Sequence, residues 1–121
     1  GILAAIVVPQ IGDIQGDAQI NSVKSSLANI QTVLEQYKLD KEEGDGQYPA
    51  QDSWETDLGV DGTNYTYVAA DSGNTGNKQD EYIVYYSNAI DVDDDDTKEY
   101  IYIESSSSKI KETDGNTKPS I

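Results

Sequence analysis

A short acidic stretch in the second half of the chain holds the side chains whose spacing comes nearest to a known chemical site. Asp91, Asp93 and Asp95 stand at the first three alternate positions of an EF-hand-like calcium loop. Asp96 occupies the position of the turn glycine, however, and Tyr102 occupies that of the bidentate glutamate. The stretch therefore has two possible interpretations, a calcium site on the three alternate aspartates or a solvated acidic turn. The two mismatches favour the acidic turn.

The amino-acid composition argues against catalysis. The 121 residues include no His and no Cys. The missing His removes the commonest general base and the commonest metal ligand, and the missing Cys removes thiol nucleophiles, disulfides and thiolate metal sites. The sequence also contains no GxSxG nucleophile motif and no phosphate-binding loop. We expect a protein that is not an enzyme and that needs no cofactor, with calcium as the one ion to test.

The chain is strongly acidic, with 8 Lys and Arg residues against 23 Asp and Glu residues and a formal net charge of -15. Such a charge repels nucleic acid and anionic lipid headgroups, so no contact with nucleic acid is predicted. The length corresponds to one domain with one modest hydrophobic core.

Apolar residues recur with helical spacing in the first third of the chain. Six of them are separated by 3, 4, 3, 4 and 3 residues, which places them on one stripe of an α-helix with polar residues opposite. The stripe has too few heptads for a coiled coil, so it is predicted to pack on a sheet of the same chain. The predicted helix–sheet packing residues are Ile20, Val23, Leu27, Ile30, Leu34 and Tyr37.

Three segments rich in aromatic and β-branched residues follow the helix and a polar loop, and these residue types favour strands. The predicted strands are residues 65–69, 81–87 and 99–104. An antiparallel meander is the simplest way to join them, and Ile101 and Ile103 would then face the helix. Residues around Lys109 fit either a loose tail or a final edge strand.

The predicted fold class is α+β, with a long N-terminal α-helix, apolar at its start, packed on a small antiparallel β-sheet. Residues 1–40 form the predicted N-terminal helix, and residues 41–121 form a loop and the antiparallel β region. Within the loop, Trp54 and Leu58 are the predicted anchors against the helix.

The first twelve residues, GILAAIVVPQIG, carry no charge, and Asp13 is the first charged residue of the chain. This apolar run is about half of the roughly 20 residues that a bilayer span requires. Its apolar side chains surround the helix, and a small domain with one amphipathic helix cannot enclose them. A partner outside the chain is therefore expected for Ile2, Leu3, Ile6, Val7, Val8 and Ile11.

The stretch GILAAIVVPQ resembles the second half of the N-terminal segment of type IV pilins and type II secretion pseudopilins, where an apolar helix ends in an ILAAI-type run followed by a proline. The likeness extends over residues 1–40, and QYP at residues 47–49 is similar to the family's loop entry. In that family the mature chain would begin about thirteen residues before Gly1, which gives about 25 apolar positions, enough to span a bilayer with some tilt. The family's cleavage site, N-terminal aromatic residue, early glutamate and C-terminal cysteine pair are not in this sequence.

The resemblance implies a structural subunit of an extracellular type IV pilus-like filament at the cell surface, assembled by packing apolar N-terminal helices in the filament core. Its partners would be identical subunits in a helical homopolymer and the filament assembly machinery, and it would lie in the cytoplasmic membrane before assembly. One alternative is a major pseudopilin of a type II secretion system, a group known for calcium in the β region. Another is a soluble surface binding module.

The predicted filament-core segment, residues 1–16, contains helix-weakening residues in its second half. Pro9 removes a backbone donor, and Gly12 and Gly16 each weaken a helix by about 1 kcal/mol relative to Ala. Residues 9–16 are therefore predicted to be a flexible, unwound stretch, and residues 17–40 to be the amphipathic half of the helix.

Overall fold

The chain folds as one long helix packed on a four-stranded sheet, in a computed structural model that describes residues 17–44, 46–70, 81–92 and 97–120. The elements are α1 (Asp17–Leu39), α2 (Trp54–Leu58), β1 (Tyr65–Ala70), β2 (Glu81–Tyr86), β3 (Ile101–Glu104) and β4 (Ser107–Glu112). The predicted α+β class with an antiparallel sheet is therefore confirmed. The predicted apolar start of the helix lies outside the described residues.

α1 ends at Leu39 because the following glycines let the chain turn back on the helix. The backbone N–H of Gly44 donates to the Tyr37 carbonyl at 3.0 Å, and that of Gly46 donates to the Lys38 carbonyl at 2.7 Å. These bonds satisfy carbonyls that the last helical turn leaves without partners. Gly46 has a φ of 92°, in the left-handed region that favours glycine.

The sheet is an antiparallel meander in the order β1-β2-β3-β4. Val84 of β2 lies opposite Tyr67 of β1 on one side and opposite Ile103 of β3 on the other. All three side chains are buried in the core cluster, so this row marks the face that packs on α1. The residues around Lys109 form the edge strand β4, which settles the alternative that the sequence left open.

One continuous core lies between α1 and the sheet, with contributions from the loop that joins them. Its members from α1 are at most 8% exposed. Tyr37, the last residue of the predicted stripe, is partly buried at the edge of this core. The core comprises Ile20, Val23, Leu27, Ile30, Val33 and Leu34 from α1, Tyr65, Tyr67, Tyr82, Val84, Tyr86, Ile101 and Ile103 from the sheet, and Tyr48, Trp54, Leu58 and Val60 from the loop.

The segment between α1 and β1 contains the short helix α2, where the sequence predicts only a loop. Five residues are too few to show helical periodicity, and Gly59, with a φ of 69°, ends the helix at once. Trp54 and Leu58 are both buried, and the Trp54 indole stacks on the Tyr67 ring at a centroid distance of 5.1 Å. α2 therefore fastens the loop to β1.

Candidate functional site

The structure describes only part of the predicted functional residues. The predicted assembly core, Ile2, Leu3, Ile6, Val7, Val8 and Ile11, and the predicted unwinding residues, Pro9, Gly12 and Gly16, lie outside the described ranges. The predicted packing stripe of α1 lies inside them, and its six members line the helix–sheet interface.

The acidic turn is described only at its start. Asp91 is half-buried next to Ile90, whose backbone pairs with that of Glu99 in an antiparallel bridge. Asp93 and Asp95 lie outside the described residues. Within residues 17–44, 46–70, 81–92 and 97–120, no group of three or more carboxylates is placed to hold a metal ion. A search of the same residues finds no helix with the length and apolar character needed to span a bilayer.

The aromatic side chains of the core form a connected layer. Tyr82 contacts Tyr48 edge-on at a centroid distance of 4.6 Å and stacks on Tyr67 at 6.4 Å. Burial raises the pKa of all three hydroxyls, and the carboxylate of Glu35, which accepts the Tyr48 hydroxyl at 2.8 Å, raises that of Tyr48 further. A hydroxyl with a raised pKa stays protonated at neutral pH and supplies little of the phenolate that acts as nucleophile or base, so this layer is suited to packing.

A groove of about 530 Å³ runs between α1 and the β3–β4 hairpin. Its residues are mostly polar, and the carboxamide of Gln31 bridges its two walls by donating to the Ser107 carbonyl at 3.4 Å. Leu39, at one end of the groove, is 79% exposed. The groove is lined by Gln31, Thr32, Glu35, Gln36, Leu39, Ser105, Ser106, Ser107 and Ser108. Beside the groove, the Ser106 hydroxyl donates to the Glu104 carboxylate.

Charge is distributed unevenly between two segments that pack on the sheet. Residues 40–62, here called the acidic loop, contain eight acidic residues and one lysine, a net charge of -7. Residues 105–120, here called the basic edge, contain three lysines and two acidic residues, a net charge of +1. The acidic loop packs on β1 through Trp54 and on β2 through Tyr48, and the basic edge includes β4 and a tail that reaches β2 at Ser120.

The net charge of each segment can be counted from the sequence, but the position of each segment in the fold cannot be predicted from it. The strands that residues 40–62 and 105–120 contact are known only from the fold. The groove is not predicted by the sequence either, because no periodic pattern indicates that a polar helix face lies beside a serine-rich hairpin.

Comparison with known proteins finds no matching protein-family model, no matching curated protein and no matching solved structure.

Proposed function

We propose that this chain is a structural subunit of a pilus-like filament, in which the apolar run of residues 1–12 packs among the same runs of other subunits. The observation that carries the proposal is the run itself, twelve uncharged residues in a chain of net charge -15. It precedes an amphipathic helix in the sequence, and the β region would lie on the outside of the filament. Before assembly, the run would be held in the cytoplasmic membrane.

The packing of the described domain supports this proposal. The apolar stripe of α1 is already covered by the sheet, since Val23, Leu27 and Ile30 are each 0% exposed. Among the described residues, the apolar stripe of α1 thus already has the sheet as its partner, and in the proposal the apolar run finds its partners in other subunits.

The energetics favour packing of the run with copies of itself. Full burial of one large aliphatic side chain contributes roughly 1.5–3 kcal/mol, so the six side chains of the run contribute on the order of 10 kcal/mol per subunit before ordering costs. A helix that is apolar on all sides can pack against lipid or against identical helices. The same segment is therefore suited to both environments.

Electron microscopy of the subunit as its cell produces it tests the proposal. We expect thin helical filaments from the unchanged protein and none from Ile6→Lys, which places a charge inside the filament core. The matched control is Ile6→Leu, which conserves volume and apolar character and should keep the filaments. Monodisperse globules from the unchanged protein, or normal filaments from Ile6→Lys, would count against the proposal.

A further inference from the structure

We infer that Asp114 and Gly115 form a self-modifying site, at which the main-chain nitrogen of Gly115 converts Asp114 to isoaspartate. The site lies just after β4, in the C-terminal tail of residues 113–120. The reaction goes beyond the proposed function, because it needs only water and proceeds whether or not the chain assembles into filaments.

The chemistry is a rearrangement of the peptide bond. The main-chain nitrogen attacks the carboxyl carbon of the preceding aspartate, and the hydroxyl of that carboxyl group leaves with the proton of the nitrogen as water. The product is a cyclic imide, a succinimide. Water then adds to one of the two ring carbonyls. Addition at the main-chain carbonyl breaks its bond to the nitrogen, and the chain continues through the side-chain carbon as isoaspartate, whereas addition at the other carbonyl restores aspartate.

The sequence contains the required pair, an aspartate followed by glycine, at residues 45–46, 61–62 and 114–115. Glycine favours the reaction because no Cβ crowds the attacking nitrogen or restricts the turn of the backbone. A nitrogen whose N–H is held in a hydrogen bond must first be released by local opening of the structure. The sequence therefore offers three candidate sites, and the surroundings of each glycine decide among them.

The first two glycine nitrogens are engaged. The Gly46 N–H donates to the Lys38 carbonyl at 2.7 Å, and the Gly62 N–H donates to Glu55 Oε2 at 3.2 Å. Gly62 is also buried against the Trp54 indole. These contacts oppose attack at both places.

The carboxylate of the second pair is held as well. Asp61 Oδ1 accepts the Thr63 N–H at 3.1 Å and also accepts the Thr63 hydroxyl. Both reacting groups of residues 61–62 must therefore leave existing partners before they can meet.

The third pair is free of such restraints. Asp114 is exposed and lies outside the helices and strands. Nothing lies within 4 Å of a Cβ built on Gly115, and no hydrogen bond in the described structure uses its N–H. The Gly115 carbonyl accepts the Thr113 hydroxyl at 2.6 Å, so the one hydrogen bond at this glycine is on its oxygen. The nitrogen is therefore available to the Asp114 carboxyl group.

The modified residue lies between two anchored points of the tail. On one side, Thr113 N–H donates to the Tyr100 carbonyl at 3.0 Å, and Thr113 Oγ1 accepts the Tyr100 N–H at 2.9 Å. On the other side, Ser120 lines a cavity of about 220 Å³ together with Ile83 of β2. Isoaspartate adds one carbon atom to the main chain between these anchors. We therefore expect the reaction to loosen the end of the tail from β2 while Thr113 stays paired.

Incubation of the folded whole chain in oxygen-18 water tests the inference. Each passage through the imide places one oxygen-18 atom in the residue, and mass spectrometry with electron-transfer fragmentation locates isoaspartate at each pair. Asp114 should isomerise about tenfold faster than Asp45 or Asp61, because hydrogen bonds and burial hold the other two glycines. In urea, where the fold no longer protects them, the three rates should agree within a factor of about three.

The substitution Gly115→Ala provides a variant that keeps the fold, since nothing lies within 4 Å of the added methyl group. It should lower the rate at Asp114 about tenfold, because the methyl group crowds the attacking nitrogen and restricts the backbone. The matched control is Asn116→Ala, which changes the next exposed residue and should leave the rate unchanged.

Three outcomes would overturn the assignment of the site. The first is equal isomerisation of the three aspartates in the folded chain, the second is a preference for Asp114 that persists in urea, and the third is an unchanged rate in Gly115→Ala. None of them depends on filaments, so the result is distinct from a failure of the proposed function.

Hydrogen exchange measures the expected effect on the tail. The isoaspartate form, separated from the parent by chromatography, should exchange the main-chain amides of residues 116–120 faster than the parent, while the Thr113 amide exchanges as before. Equal exchange of residues 116–120 in the two forms would contradict the loosening of the tail.

Discussion

Tyr67 and Pro49 join the sheet to the loop that follows the long helix: the Tyr67 hydroxyl donates to the Pro49 carbonyl at 2.7 Å, and the contact is buried. The ring of the same tyrosine stacks on Trp54. One side chain of β1 thus holds the acidic loop at Pro49 by a hydrogen bond and at α2 by ring stacking. The loop is ordered by these contacts without a disulfide, since the chain has no cysteine.

Tyr67→Phe should lower the free energy of unfolding by about 1–3 kcal/mol, because it leaves the buried Pro49 carbonyl without its donor. Urea denaturation measures this change. The control is Tyr82→Phe. The Tyr82 hydroxyl is also buried, and the Gln31 carboxamide lies near it without the geometry of a hydrogen bond. Its removal should therefore leave stability unchanged or slightly raised, and equal losses in the two variants would contradict the assignment.

Gly62→Ala should destabilise the domain by about 1–3 kcal/mol, because the added methyl group would overlap the Trp54 indole. The same substitution at Gly115, where nothing lies within 4 Å of the new methyl group, is the control and should change stability by less than about 0.5 kcal/mol. Thermal unfolding followed by Trp54 fluorescence reports both stability and the indole environment. A tolerated Gly62→Ala would show that the indole can move away from the loop.

Two leucines of α1 offer a matched test of the core. Leu27 is 0% exposed and Leu39 is 79% exposed. Leu27→Ala should cost about 2–5 kcal/mol because it leaves a cavity between helix and sheet, whereas Leu39→Ala should change stability by less than about 0.5 kcal/mol. Chemical denaturation of both variants measures the difference. Similar losses would mean that α1 does not pack on the sheet along the observed face.

Stability should fall as the pH rises above about 10, because burial raises the pKa of Tyr48, Tyr67 and Tyr82 above the ordinary value of 10.0. In the unfolded chain these hydroxyls lose protons near pH 10, while the folded state retains them. The stabilisation is therefore fully present below pH 10 and is lost as the pH rises through the folded-state pKa values. Urea midpoints and tyrosinate absorbance across this range measure the effect. Ionisation of all nine tyrosines before unfolding would contradict it.

The acidic turn should respond to ionic strength without selecting calcium. Replacing Asp93, Asp94 and Asp95 together by Asn removes neighbouring like charges, so the variant should melt at a higher temperature than the parent in low salt. Calcium and magnesium should raise the parent's melting temperature equally. A stabilisation given by calcium alone, and lost in the Asn variant, would favour the alternative of a calcium-binding pseudopilin.

The helix and most of the sheet can be predicted from the sequence, because each depends on a local pattern of residue types. The three-and-four spacing of Ile20, Val23 and Leu27 describes a helix face directly, and the aromatic and β-branched segments of β2 and β3 favour strands on their own. The structure of residues 107–112 does not follow from the sequence, because SSKIKE has little strand propensity. These residues form β4 because they pair with β3 through the turn at residues 105–106.

The placement of the two charged segments required the fold. Counting residues shows an acidic segment at 40–62 and a weakly basic one at 105–120. Their positions depend on the packing of Tyr48 on Tyr82 and on the path of the tail, which brings Ser120 beside β2. Such relations arise from contacts between residues far apart in the chain, which composition and periodicity do not record.

The edge strand β4 has a consequence for crowded arrays of this domain. An edge strand with free backbone groups can recruit the edge of another sheet and start amyloid-like aggregation. β4 carries the exposed Lys109, and its register with β3 shifts between Tyr102 and Glu104. A charge and an irregularity on an edge both oppose continuous strand pairing. The β4 side of the sheet is therefore a poor template for continuous strand pairing with a neighbouring copy.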